Sequence, residues 1–207
     1  MWLAAVLAAP AAAAAPRHTI SLALGLPAAE LGWQVRASDR LAFGARLAWD
    51  QLDSEESLSL SAIGITAPAR LDFAFEHFVV WLEAAPGARR IAGRFREASC
   101  GCIVDTSPAY AFQVPLTASL RVPLSEVVGL TLFSTLGSDL PLSGGLLVSP
   151  QVGAAADAAV SPAVSLGLMA RAGRLLVLGD NVDPAVLGGR RAITMPLALL
   201  LTIAVRL

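Results

Sequence analysis

The residues of this sequence best suited to chemistry are two cysteines that share a short motif. Cys100 and Cys102 are separated by a single glycine. This spacing is compatible with a local disulfide, with two free thiols or with half of a metal site. No second cysteine pair or neighbouring histidine completes a ligand set. We therefore expect a disulfide or free thiols here, and no metal.

Only two histidines are present, and neither suggests a catalytic centre. A nucleophilic or acid–base mechanism needs its histidine beside a nucleophile or a water, whereas His18 and His77 fall at the ends of predicted strands. The sequence also lacks a nucleophile-elbow motif, a phosphate loop and a dinucleotide fingerprint. The acidic segment 180–183 does not have EF-hand spacing, and Asx-turn chemistry explains it equally well. We predict no enzymatic activity and no cofactor.

The overall composition limits the class of protein. Hydrophobic residues make up 56% of the chain and charged residues 15%, against about 25% charged in a soluble domain. The net charge of -1, without a basic run, argues against a nucleic-acid partner. The longest internal charge-free run, 140–156, is interrupted by prolines and glycines, whereas a spanning helix needs about 18 apolar residues. These features favour a membrane β-barrel.

Alternation of apolar and polar residues supports this class, because successive side chains of a strand point to opposite faces. In the last segment, for example, Leu197, Leu199 and Leu201 oppose Thr202 and Arg206, and Ile193 and Met195 are predicted on the leucine face. The ten alternating segments are His18–Leu26, Glu30–Ser38, Leu41–Asp50, 61–76, Phe78–Arg89, Ala109–Val122, Val127–Leu142, Leu147–Val160, Val164–Arg171 and Arg191–Leu207. We predict an all-β, closed, antiparallel, up-and-down transmembrane β-barrel of about ten strands, within limits of eight to twelve.

The connections between these segments alternate in length. Every second connection is short, and all three long ones, 51–60, 90–108 and 172–190, fall on the opposite side. Short periplasmic turns and longer outer loops are typical of outer-membrane barrels. Over residues 17–207 the chain thus resembles small bacterial outer-membrane β-barrel proteins, which usually end in an aromatic residue where this chain has Leu207. The resemblance implies an outer-membrane location, with outer-membrane lipid and the barrel-insertion machinery as partners.

The first fifteen residues form an apolar, alanine-rich segment. It ends in Ala13, Ala14 and Ala15, which offer a small-residue cleavage site. No basic residue precedes the apolar stretch, and a mature alanine-rich helix is the alternative. We predict a signal peptide at residues 1–15 and a barrel domain at residues 16–207.

The polar faces of the strands are expected to line the lumen. They carry seven acids and seven arginines, and equal numbers suit pairing in a confined space. Trp81 and Phe133 fall on the same faces and could fill the bore. The predicted lumen charge network consists of Glu30, Arg36, Arg46, Asp50, Arg70, Asp72, Glu83, Arg89, Arg121, Asp139, Asp157, Arg171 and Arg206.

These features predict a non-enzymatic barrel with a structural role, or one that binds or slowly passes a small polar solute. Ten strands give a bore far narrower than that of open porins, so we expect no large open pore. Two alternatives remain at this point. One is a barrel enzyme acting on lipid or surface peptide, and the other is a soluble secreted barrel that holds an apolar ligand inside.

Overall fold

The computed structural model describes residues 18–55, 58–96, 100–105, 108–178 and 192–207. The predicted signal peptide and segment 180–183 lie outside these residues. In the described part of the chain, no helix is long and apolar enough to cross a membrane. The strands are β1 (His18–Leu26), β2 (Ala28–Arg36), β3 (Leu41–Glu55), β4 (Leu58–Thr66), β5 (Ala69–Ala74), β6 (Val79–Ala84), β7 (Gly87–Arg96), β8 (Ile103–Asp105), β9 (Ala109–Gln113), β10 (Leu116–Pro123), β11 (Val128–Pro141), β12 (Leu146–Ala159), β13 (Val164–Leu178) and β14 (Ala192–Arg206).

These strands form one closed antiparallel ring. Neighbours along the chain pair with each other, and β1 pairs with β14 from Thr19 opposite Arg206 to Leu26 opposite Leu199. Three barrel strands are each built from two segments, β4 with β5, β6 with β7, and β9 with β10, and the short β8 pairs with β7. Counted this way, the ring has ten barrel strands, which confirms the predicted fold class.

Prolines cause the three interruptions, at Pro68, Pro86 and Pro115. A proline has no N–H to donate to the ladder. The hydrogen bond to each proline carbonyl is still present. The Gly44 N–H donates to the carbonyl of Pro68, and the Ala67 N–H donates to the carbonyl of Pro86. Ala85 likewise donates to the carbonyl of Pro115. Three adjacent strand pairs therefore each lack one ladder hydrogen bond at one level of the barrel, which we call the proline seam.

One end of the barrel, the turn end, carries four connections of four residues each, at 37–40, 75–78, 124–127 and 160–163. Three of these turns share a local design. The hydroxyl of Ser38, Ser125 or Ser161 accepts hydrogen bonds from the N–H groups two and three residues later, at 3.1–3.3 Å. Short polar turns of this kind hold neighbouring strands in register. The opposite end, the loop end, carries the remaining connections.

Two predictions about the loop end are wrong in part. Segments 51–60 and 172–190 are not wholly loop, since β3 runs to Glu55, β4 begins at Leu58 and β13 runs to Leu178. The hydrogen-bond ladders between neighbouring strands continue past the residues at which apolar and polar side chains alternate. Similarly, β7 continues to Arg96, beyond the predicted strand end.

A bulge in β14 explains why a further prediction, the outward placement of Ile193 and Met195, is wrong. Pairing shifts from Arg171 opposite Ala198 to Gly173 opposite Met195, so β14 carries one extra residue beside Pro196. The extra residue reverses the facing of the strand beyond it. Ile193 and Met195 are consequently buried inside the barrel.

Candidate binding site in the barrel lumen

A chain of ion pairs crosses the middle of the lumen and begins at a deeply buried acid. Asp139 on β11 is only 1% exposed. Its Oδ2 lies 2.8 Å from Nη1 of Arg89 on β7, and Nη2 of Arg89 lies 3.9 Å from Oδ2 of Asp50 on β3. A buried charge without a partner costs several kcal/mol, so each of these groups depends on the next.

The series of ion pairs continues from Asp50 towards the turn end. Asp50 pairs with Arg171, whose Nη1 lies 3.8 Å from Oε2 of Glu30. Arg46 then bridges two acids, with its Nε 3.0 Å from Oε1 of Glu30 and its Nη2 2.8 Å from Oε1 of Glu83. Acids and arginines therefore alternate along seven side chains that come from five of the ten barrel strands, and the network ties opposite walls of the barrel together.

A second cluster lies nearer the turn end. Asp72 accepts a hydrogen bond of 3.0 Å from Nη2 of Arg36 and also pairs with Arg70. The guanidinium carbon of Arg70 stands 4.1 Å from the ring centroid of Trp81. Such a cation–π contact holds both side chains in a defined position.

Six charged side chains of the strands lie near the mouth of the lumen at the turn end. Arg121 Nη2 lies 2.7 Å from Asp157 Oδ2 in a partly exposed pair. Arg206 lies opposite Thr19 in the register and makes no ion pair with any described residue. Together with Arg36 and Arg70, these side chains place four arginines against two aspartates around the opening.

Two polar cavities that share lining residues lie inside the barrel, the larger on the turn-end side and the smaller at the level of Asp50, Arg89 and Asp139. The larger cavity has a volume of about 330 Å³ and is lined near the turn end by Thr19, Gln34 and Ser119. The smaller, deeper cavity has a volume of about 110 Å³. Glu30, Arg46, Glu83 and Arg171 line one or both cavities, as do Thr117, Phe133 and Thr135. The lumen therefore holds space for a small molecule surrounded by hydroxyls and by charges of both signs.

At the loop end, apolar side chains fill the interior. Each is 8% exposed or less, and they come from β3, β4, β7, β9, β12, β13 and β14. We call this cluster the plug; its members are Leu52, Leu60, Ala62, Ile91, Ala109, Leu147, Leu175, Ile193 and Met195. Close-packed apolar side chains exclude water, so the plug closes the lumen at this end.

The outside of the ring is apolar. Leu132 and Leu199 point outward and are 50% and 60% exposed, whereas the charged side chains of Arg46 and Asp157 lie inside. Aromatic side chains also face outward near the ends, with Phe43 and Phe73 towards the turn end and Tyr110 towards the loop end. A closed β-ring with an apolar exterior and a polar interior is the arrangement that lipid requires. The chain is a transmembrane β-barrel.

The apolar exterior contradicts the soluble-barrel alternative, which requires the apolar faces of the strands to point inward. The larger cavity lies on the turn-end side of the lumen, and the plug lies at the loop end.

No protein-family model matches the chain, and no curated protein matches it. Solved structures similar to the barrel include the NanC porin, at 9% identity and a TM-score of 0.45, covering 92% of this chain and 100% of that chain. The beta domain of the Bordetella autotransporter BrkA has 9% identity and a TM-score of 0.43, covering 92% and 98%. LpxR from Salmonella typhimurium has 8% identity and a TM-score of 0.41, covering 92% and 99%.

The structure brings twelve of the thirteen predicted lumen residues of the barrel into ion pairs, and Arg206 is the exception among the described residues. Cys100 and Cys102 are joined by a disulfide. His18 stacks on Trp33 with ring centroids 6.1 Å apart, and His77 lies in an exposed turn beside Glu76. The described residues contain no group of three or more metal-ligating side chains.

The plug is the feature that the sequence prediction missed. Its signal is a loss of alternation at the loop end, where 146–148 and 175–178 are apolar at every position. Such a run indicates a strand that is apolar on both faces. Residues such as Leu147 and Leu175 therefore point into the barrel while their neighbours contact lipid.

Proposed function

We propose that this barrel binds a small polar solute in its lumen and is not a pore. The lumen opens to the periplasm, the side on which outer-membrane barrels carry their short turns. The observation that carries the proposal is the combination of a plug at the loop end with polar cavities that reach the turn end. A channel needs a continuous polar path, and the plug interrupts it. A purely structural barrel has no need of the open polar space.

The lining indicates the chemistry of the solute. Arg46, Arg70 and Arg171 line the larger cavity together with Glu30 and Glu83, so both signs of charge border the same space. A solute that carries both signs can place its anionic group near Arg70 and its cationic group near Glu83, which lies opposite Arg70 in the strand register. Complementary placement of this kind favours a small zwitterion over a neutral sugar.

Trp81 provides a direct test, because its ring lies under Arg70 beside the larger cavity. We expect the fluorescence of the purified barrel to change saturably when a small amino acid is added, and less with a dicarboxylate or a diamine. The response should disappear in Trp81→Phe and remain in Trp49→Phe, which removes an outward-facing tryptophan. No saturable response to any of the three probes would refute solute binding.

An enzyme acting on lipid or surface peptide is the alternative hypothesis. It requires a reactive group near the membrane surface or the outside, whereas the polar space described above faces the periplasm. Turnover of a lipid or peptide by the purified barrel, without saturable solute binding in the lumen, would favour the enzyme.

A further inference from the structure

The outer surface of the barrel carries an apolar depression between adjacent strands of the described residues. It has a volume of about 620 Å³. Small side chains form its floor and leucines form its walls. We call it the furrow; its floor is Ala69, Ala84, Ala118 and Ser134, and its walls are Leu41, Leu71, Leu82, Leu116 and Leu136.

Strand register explains why a depression forms here. Ala84 on β6 lies opposite Ala69 on one side and Leu116 on the other. Ala118 on β10 lies opposite Ser134, so small residues continue onto the next strands. The wall leucines are about half exposed and stand on either side of this floor. The result is a concave strip across adjacent strands rather than a flat surface.

The furrow is apolar on its lipid side. Glu83 and Thr117 also border it, but their polar groups are engaged in the lumen. The Glu83 carboxylate pairs with Arg46, and the Thr117 hydroxyl lies 2.9 Å from that of Thr135. Neither the Glu83 carboxylate nor the Thr117 hydroxyl is therefore directed towards a ligand on the outside.

The position of the furrow identifies the leaflet that it faces. Leu41 is the first residue of β3 after a turn, and Leu71 and Leu82 lie within a few residues of the next turn. The furrow therefore occupies the turn-end half of the barrel, which is the periplasmic half in the orientation proposed above. The proline seam borders its other edge, since Ala69 follows Pro68 and Leu116 follows Pro115.

We propose that the furrow binds one acyl chain of a phospholipid from the periplasmic leaflet. Lipid tails are as apolar as leucine, so packing rather than the hydrophobic effect decides what binds in a membrane. An acyl chain in the furrow contacts protein on the floor and on both walls. An acyl chain elsewhere on the convex outer surface of the barrel contacts protein on one side only. An empty furrow would forfeit those dispersion contacts. The site does not depend on solute binding in the lumen.

The test counts the phospholipids that remain on the barrel after extraction into mild detergent, by native mass spectrometry. Wild type should retain one phospholipid. Ala84→Phe should lose it, because the new ring fills the floor. Ala156→Phe, at an exposed alanine on the lipid side of β12 outside the furrow, should retain it. Ser134→Phe fills the floor from another strand and replaces Ala84→Phe if that variant does not fold, as judged by heat-shifted gel mobility.

Three results would overturn the proposal. In the first, wild type and the floor variants retain the same number of phospholipids. In the second, Ala84→Phe and Ala156→Phe lose phospholipid equally, which indicates a general effect of a bulky exterior ring. In the third, the wild-type spectrum shows a two-barrel species that Ala84→Phe dissociates, which assigns the furrow to a second copy of the chain.

Discussion

Replacing Asp139 by Ala should lower the free energy of unfolding by about 3–5 kcal/mol, the cost of leaving a buried partner charge uncompensated. Asp139 is only 1% exposed and holds Nη1 of Arg89 at 2.8 Å. Among the described residues, Arg89 would then keep only Asp50 as an ion-pair partner, at 3.9 Å. Urea unfolding in detergent micelles, followed by tryptophan fluorescence, measures the loss.

Two further variants separate lost pairing from lost volume. Asp105→Ala removes one member of an exposed pair with Arg94, whose side chains are 70% and 78% exposed, and should change stability little. Converting both buried partners, in Arg89→Met with Asp139→Leu, removes the charges together and should recover most of the stability. If Asp139→Ala and Asp105→Ala behaved alike, the buried network would not contribute as described.

Replacing Leu175 by Ala should also be strongly destabilising, by about 2–5 kcal/mol, because the substitution leaves a cavity in a packed cluster. Leu175 has no exposed surface and lies in the plug with Leu147 and Ile193. Unfolding in urea under the same conditions measures the effect.

The matched control is Leu201→Ala, which makes the same chemical change on the lipid side, where the side chain is 54% exposed. Lipid or detergent tails can fill the space that this substitution leaves, so we expect a much smaller loss of stability. Equal losses for Leu175→Ala and Leu201→Ala would mean that the plug is not a packed core.

The number of strands and the facing of most side chains can be predicted from the sequence because alternation is a local property. Leu132 and Leu199 contact lipid, and Arg46 and Asp157 face the lumen, as the two-residue period requires. The pattern fails where it changes phase. At Pro196 an extra residue reverses the strand, and nothing in the alternation before the bulge indicates on which side Met195 will lie.

The candidate site could be predicted only as a list of charges. Equal numbers of acids and arginines indicate pairing, but the partners are set by the closure of the ring. Arg89 and Asp139 are 50 residues apart, and Asp50 and Arg171 are 121 residues apart. The plug was missed for a related reason, since apolar residues on both faces of 175–178 extend beyond the region where alternation identifies the strand.

Labelling of a lumen cysteine from each side of a membrane tests the account most directly. Ser119→Cys, in a background with Cys100→Ser and Cys102→Ser, places a thiol in the larger cavity. Two marker variants, Ser125→Cys in a turn at the turn end and Ser143→Cys in the connection at the plugged end, report the orientation of barrels in vesicles. A small charged thiol reagent should reach Ser119→Cys only from the side that labels Ser125→Cys. Labelling of Ser119→Cys from the side that labels Ser143→Cys would contradict a lumen closed to the outside.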